Sequence, residues 1–142
     1  MRIDRRRLQR PGFVFACEIQ TRFADVDKIG HVNNVAIASI FQEGRNRFIH
    51  ASGIYPLAQC DLVVASASFE YAGDLFHPEP IEIAVGVIEI GRSSLRIGQI
   101  ACQHGRIGAY AEVVQVARDA NGAIALPQAW RAPLEAQKII VA

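Results

Sequence analysis

The sequence predicts an α+β domain in which a five-stranded antiparallel sheet wraps around one long helix, and three observations carry this. One stretch, beginning at Val35, has helical periodicity. Four later stretches read as strands separated by short polar or glycine-containing turns, and one strand-like stretch precedes the helix. Strands joined by short turns pair antiparallel, so a single helix is left to cover the apolar face of the sheet. It can do so only if it lies across that face and the sheet curls around it.

The first strand is expected within residues 13–23, FVFACEIQTRF, where aromatic and β-branched residues partly alternate. The next segment, DVDKIGHVNN at 25–34, is rich in Asp, Asn and Gly and has the chemistry of a turn. From Val35 the period changes: Val35, Ile37, Ile40, Phe41, Gly44 and Phe48 form one stripe, and Gln42, Glu43, Arg45 and Asn46 fall on the other side. Asn33 or Asn34 can cap the start of this helix, and Gly53 with Pro56 mark its exit. Gly44 costs about 1 kcal/mol against alanine in mid-helix, a cost accepted where the backbone must approach the sheet closely.

Strands are then expected at Leu62 to Tyr71, Ile81 to Ile90, Leu95 to Cys102 and Ala109 to Arg118. GRSS at 91–94 and QHGRIG at 103–108 turn successive strands, and DANG at 119–122 closes the last one. Pro127, Trp130 and Leu134 suggest a short closing helix or an irregular tail.

The 142 residues fit a single domain, 1–142, that buries roughly 68–70% of its unfolded surface. No apolar run approaches the ~20 residues of a membrane span. Cys17, Cys60 and Cys102 are odd in number and widely spaced, without a zinc-binding pattern, so a reducing compartment and a cytoplasmic location are expected. Residues 1–11 form a basic arm: Arg2, Arg5, Arg6, Arg7 and Arg10 stand against Asp4, leaving ten basic and 13 acidic residues in the body. The arm lacks the apolar stretch of a secretory signal and reads as a solvated, flexible end rather than a nucleic-acid contact.

The chemistry concentrates at T-R-F-A-D-V-D-K-I-G-H-V-N-N, residues 21–34, just before the helix. A carboxylate beside a helix start can attack an acyl carbon or activate water, and the unpaired N–H groups of that start can stabilise an oxyanion. Asp25 and Asp27 are the candidates, although single acids at such places are commonly turn formers.

The full string, with F-Q-E-G-R further along the helix and the G-R-S-S turn, resembles the 4-hydroxybenzoyl-CoA thioesterase family of hotdog-fold acyl-CoA thioesterases. The resemblance implies that Asp27 is nucleophile or general base, that the N–H of Asn34 is the oxyanion donor, and that Arg92, Ser93 and Ser94 lie near the pantetheine and phosphates of CoA. Asp25 is read as holding the loop, and Gly30 as supplying a backbone conformation other residues resist. Asn33 is expected to cap or tie the loop, with contact to the substrate as its other role, and His31 either to pair with Asp27 or to buttress the turn. Glu43 is read as solvated or subunit-facing. Where the family carries Tyr, Leu, Arg and Tyr on the helix, this chain has Ile37, Ala38, Ser39 and Ile40, so Ile37 and Ile40 would give the acyl channel an apolar wall.

The expected substrate is an acyl-CoA or acyl-carrier thioester, with no cofactor beyond the CoA of the substrate and no metal; His50, His77 and His104 have no ligand spacing. Open sheet edges imply a homodimer or homotetramer. Two other functions fit the same string: a hotdog dehydratase or hydratase using Asp27 with His31, and a non-catalytic acyl-CoA binding module.

Overall fold

The structure is a computed structural model, and it describes residues 2–27, 30–54 and 60–141. Its elements are β1 (Phe15–Ile19), α1 (Asn34–Ala51), β2 (Asp61–Tyr71), β3 (Ile81–Ile90), β4 (Ser94–Gln103), β5 (Arg106–Asp119), β6 (Gly122–Ala123) and α2 (Gln128–Glu135). The five main strands form one antiparallel sheet in the order β1-β3-β4-β5-β2, and the two-residue β6 extends it beside the end of β5. This is the expected curled sheet around one long helix, the hotdog arrangement, with a small sixth strand added by the DANG turn. No helix among the described residues is long and apolar enough to cross a membrane.

Strand order has one consequence for the rest of the molecule. β2 lies at one edge and β3 lies three strands away, so the connection 72–80 must cross the end of the sheet over β5 and β4. It touches both on the way: Ala72 and Gly73 donate to the Gly108 carbonyl at 2.9 and 3.1 Å, and Gln103 binds the backbone of Phe76.

α1 begins where Asn33 caps it, the side-chain oxygen accepting the Ala36 N–H at 2.8 Å. It ends at Ser52 and a Gly53 with φ +84°, a left-handed conformation suited to glycine. Pro56, the other expected exit signal, lies outside the described residues. The helix sits on the concave face with Phe41 and Phe48 fully buried. A Cβ on Gly44 would fall 2.5 Å from Ile83 Cγ2, which is why glycine occupies the point of closest approach. Arg45 departs from the stripe reading. It is buried rather than on the polar side, its Nη1 donating to Gln99 Oε1 at 2.9 Å while Gln99 Nε2 donates to the Phe41 carbonyl at 2.8 Å. The long aliphatic stem lets a guanidinium reach beneath the helix, and its burial holds its pKa below the usual arginine value.

β1 is shorter than the 13–23 stretch that suggested it. After Ile19 the Asp25 carboxylate accepts the Arg22 N–H at 2.8 Å, and the chain turns through one 3-10 turn at Phe23–Asp25 instead of continuing as strand. At the carboxyl end the closing helix is α2, with Trp130 and Leu134 buried.

The basic arm is not a solvated end. Ile3 and Leu8 are buried in a second apolar layer on the outer face of the sheet with Phe13, Ala84, Ile100, Cys102 and Tyr110. Counting the arginines overlooked these two anchors. The charges then find partners on the sheet: Arg5 and the Ile3 N–H bind Glu70 at 2.9 and 2.7 Å, and Arg10 binds Glu82 at 2.8 Å. Gly86 and Gly98 face one another across β3 and β4, and their missing side chains make room for Ile139 and Leu8. Residues 137–140 complete this layer, Ile139 donating to the Val87 carbonyl at 3.0 Å and Ile140 to that of Gly12 at 2.9 Å.

This docking has a measurable consequence. Leu8 is 1% exposed, so Leu8→Ala should cost about 2–5 kcal/mol and lower the thermal midpoint by roughly 5–15 °C. The exposed Arg7→Ala should leave it within about 1–2 °C. Equal, negligible shifts for both variants in thermal denaturation would show that the arm is not packed on the sheet.

Candidate active site

The loop before α1 is built around Asp25. Its carboxylate is almost fully buried, receives the Arg22 N–H and guanidinium at 2.8 Å each, and its own carbonyl accepts the Asn33 N–H at 2.8 Å. The hydrogen bonds from Arg22 hold the Asp25 carboxyl below its ordinary range. Asp25 is therefore the loop's anchor, as its position suggested.

Beyond it the chain forms a tight hairpin. Val26 bridges Val32, the Asp27 N–H donates to the His31 carbonyl at 2.9 Å, and the His31 N–H returns a bond to Asp27 Oδ1 at 3.1 Å. Gly30 has φ +80°, the left-handed conformation the turn requires. Asp27 is thus held at an exposed position while its backbone and one carboxylate oxygen are fixed by the same residue.

His31 acts as a buttress through its side chain. Nδ1 lies 3.4 Å from Asp74 Oδ1, and the ring meets Phe76 edge-on with centroids 4.8 Å apart. Further bonds join the loop to the β2–β3 connection: Val32 donates to the Leu75 carbonyl at 2.8 Å and His77 to that of Gly30 at 3.4 Å.

Between loop, helix start and connection lies a groove of about 340 Å³. Asp27, His31, Asn33 and Asn34 line its polar side, Val32, Ile37 and Leu75 its apolar side, and Tyr71, Gly73 and Asp74 its far wall. No described residue accepts from the N–H of Asn34 or Val35, the first two donors of α1. A carboxylate and an open helix start thus face one groove with an apolar side. That combination suits an acyl carbon whose oxygen gains negative charge.

Six expected site residues, Asp27, Gly30, His31, Asn33, Asn34 and Ile37, come together here, Gly30 by shaping the Asp27 turn. Ile40 lines a neighbouring groove with Ile19, Asp25 and Glu43 instead. Glu43 pairs with Arg47 at 2.8 Å. Arg92, Ser93 and Ser94 stand at the opposite end of β4 from Gln103, about 30 Å away along a ten-residue strand. There the turn is fastened to β5 and to the segment before α2, with the carbonyls of Ser93 and Arg92 accepting from Ala117 and Leu126.

Tyr71, Gly73, Asp74 and Leu75 were not foreseen. Their place in the groove depends on the crossing of the β2–β3 connection, and the only local signal was the Gly-Asp turn after a strand. Gly108 allows that wall to sit close, since a Cβ there would meet Leu75 at 2.6 Å.

Comparison with known proteins agrees with this fold. A search of curated protein sequences finds no match. Among solved structures, a protein of Pseudomonas aeruginosa superposes with a TM-score of 0.83 at 26% identity, covering 94% of this chain and 97% of its own. A thioesterase of Thermus thermophilus, solved with coenzyme A and zinc, gives 0.79 at 27% identity over 89% of this chain and 96% of its own. A predicted thioesterase of Bacillus stearothermophilus shares the fold at 0.79 and 21% identity, covering 87% of this chain and 96% of its own. The sequence model of one family matches residues 21–135, from the Asp27 loop through α2, and the chain belongs to that family, the thioesterase-like superfamily.

Proposed function

We propose that the protein hydrolyses acyl-CoA thioesters, with Asp27 as nucleophile or general base and the Asn34 N–H as oxyanion donor. The observation that carries this reading is the exposed Asp27 carboxylate sharing a half-apolar groove with the open start of α1. The superfamily membership and the likeness to a thioesterase solved with CoA support it. Attack by Asp27 on the thioester carbonyl would expel the CoA thiolate and leave a mixed anhydride for water to cleave. As general base, Asp27 would instead take a proton from the attacking water. In both cases the carbonyl oxygen becomes negative against the helix start, and the products are a free acid and CoA. A dehydratase would need the His31 ring as Asp27's partner in proton transfer, whereas the ring is engaged by Asp74 and Phe76, which favours hydrolysis.

The assembly proposed is a homodimer paired through β2. This is an edge of 11 residues, with Val64 and Tyr71 about half exposed, whereas the opposite edge, β1, has five residues and its Glu18 carbonyl is taken by Arg47. Antiparallel pairing of two β2 strands sets the Tyr71 end of one beside the Asp61 end of the other. The second subunit's 91–94 turn would then stand two strands, about 10 Å, in from the shared edge, at the end bearing the first subunit's groove. Arg92, Ser93 and Ser94 would thus serve the neighbouring site, Arg92 by reading phosphate oxygens. Light scattering should report twice the chain mass of 15.6 kDa, and a stable, active monomer would remove this assembly.

Val32, Ile37 and Leu75 give the acyl group apolar surface, and a groove of about 340 Å³ is at the small end for ligand sites, so short acyl groups should be preferred. Each buried methylene is worth about 0.8 kcal/mol, close to fourfold, until the groove is full. A thiol-release series should therefore rise and then fall with acyl length. A flat profile, or a hydroxylated ring as the best substrate, would contradict it.

Asp27→Asn should lower turnover by at least about 10²–10⁴-fold while leaving acyl-CoA affinity and thermal stability nearly unchanged. Asp25→Asn should do the reverse, retaining turnover but losing about 1–2 kcal/mol of stability at neutral pH. Because the folded Asp25 carboxyl titrates below its ordinary 3.8, its contribution is complete above that value and disappears as pH falls through the lowered one. The stability gap between wild type and Asp25→Asn should accordingly close in acid. An Asp27→Asn enzyme within about tenfold of wild type would refute the catalytic assignment, and a dead Asp25→Asn would move it two residues upstream.

A further inference from the structure

The Asp27 loop is hydrogen-bonded to the β2–β3 connection, so whatever fixes the connection also fixes the carboxylate. One buried side chain holds its middle. Gln103, at the end of β4 and 8% exposed, accepts the Phe76 N–H at 2.8 Å and donates from Nε2 to the carbonyls of Phe76 at 2.7 Å and Glu79 at 3.1 Å. No other described side chain binds both the N–H and the carbonyl of one residue in this segment. From Phe76 the path to Asp27 is short. Phe76 bridges His31 in antiparallel fashion and packs on its ring, Leu75 next to it accepts the Val32 N–H, and His31 donates its N–H to Asp27 Oδ1.

The far side of the same segment is tied down independently. Thr21 Oγ1 lies 2.7 Å from His77 Nδ1, and Gln20 donates to the Pro78 carbonyl at 2.8 Å. The connection therefore keeps its path even if the Gln103 amide is removed. Among the described side chains Gln103 is the one hydrogen-bonded to the Phe76 backbone, and through Phe76 it bears on His31 and Asp27.

We propose that Gln103 is a positioning residue for Asp27, acting through Phe76 and His31 without touching substrate. In its kinetic part this rests on the thioesterase reading. A shift of about 1 Å in a reacting group can cost 10²-fold in rate, whereas Ile37 and the Asn34 N–H belong to α1 and stay in place, so that only the Val32 and Leu75 side of the acyl surface follows Phe76.

The test uses the full chain with Gln103→Met, which keeps length and volume but makes none of the three bonds, and Gln103→Glu, which keeps only the acceptor for Phe76. Gln103→Met should lower kcat by about 30- to 100-fold with KM changed less than about threefold, and Gln103→Glu should fall between it and wild type. Amide hydrogen exchange at Val32, whose N–H bonds Leu75, should quicken by about tenfold or more while Ile97 at the centre of β4 stays unchanged. A Gln103→Met enzyme with wild-type kcat and wild-type exchange at Val32 would overturn the proposal, as would exchange that quickens equally at Ile97. Should Gln103→Met fail to fold, Gln103→Glu decides by the same readings, and wild-type values for it overturn the proposal. A wild-type protein that released no thiol would remove the thioesterase reading instead, and the exchange rates at Val32 and Ile97 would still decide the positioning.

Discussion

The contact on which the rest of the structure depends is the one between α1 and the sheet at Gly44. There the helix backbone comes so near Ile83 that a Cβ would lie 2.5 Å from its side chain. A helix at this depth can bury Phe41 and Phe48 completely and bring its backbone within reach of polar groups on β4, where Gln99 takes the Phe41 carbonyl and Arg45 reaches Gln99. Buried amide and guanidinium groups are costly unless they are bonded, so these contacts tolerate little rotation or lift of the helix. The open end of α1 is held in place as a result. The oxyanion donor proposed at Asn34 requires this, because such a donor is useful only if it stays where the charge will form.

The groove is then assembled from segments that are distant in sequence. A loop before the helix supplies the carboxylate, the helix supplies its first amides and Ile37, and the connection after β2 supplies Tyr71, Asp74 and Leu75. Hydrogen bonds fix each piece: Asp25 to Arg22 and Asn33 within the loop, Asn33 to Ala36 of α1, and the connection to Gly108 of β5 and Gln103 of β4. The site therefore lies on loops, yet those loops are bonded to one another and, through Ala36, Gly108 and Gln103, to the helix and two strands. This is the usual way for a fold to keep chemistry adaptable and geometry fixed.

Much of this architecture was legible in the sequence, for identifiable reasons. The helix stripe, the alternating strands and the polar turns are local patterns, and local patterns determine local elements. The Asp-rich string before the helix was legible as well, because a plain cap requires neither Gly30 nor His31. Arg45 was misplaced because a periodicity argument sorts residues by polarity and overlooks the reach of an arginine stem. The arm was misread because its arginines outnumber Ile3 and Leu8, although two buried aliphatic side chains outweigh several screened surface charges. Tyr71, Leu75 and Gln103 were beyond reach for another reason. Their roles depend on β2 and β3 being separated by two strands, and nothing within either strand announces that order.

The outer layer carries a consequence for the timing of synthesis. Gly86 and Gly98 leave a trough on the back of the sheet that Leu8 and Ile139 fill together, and the Ile140 N–H closes on the Gly12 carbonyl. On a ribosome, which extends a chain from its amino end, the arm emerges first but has no surface to settle on until β3 and β4 have followed. Even then the trough stays half filled until residues 137–140 are released. Throughout that interval an apolar patch including Ala84, Ile100 and Tyr110 lies partly open on a nearly finished sheet. Slow docking of residues 137–140 once β5 has paired would prolong the time in which such chains can adhere to one another.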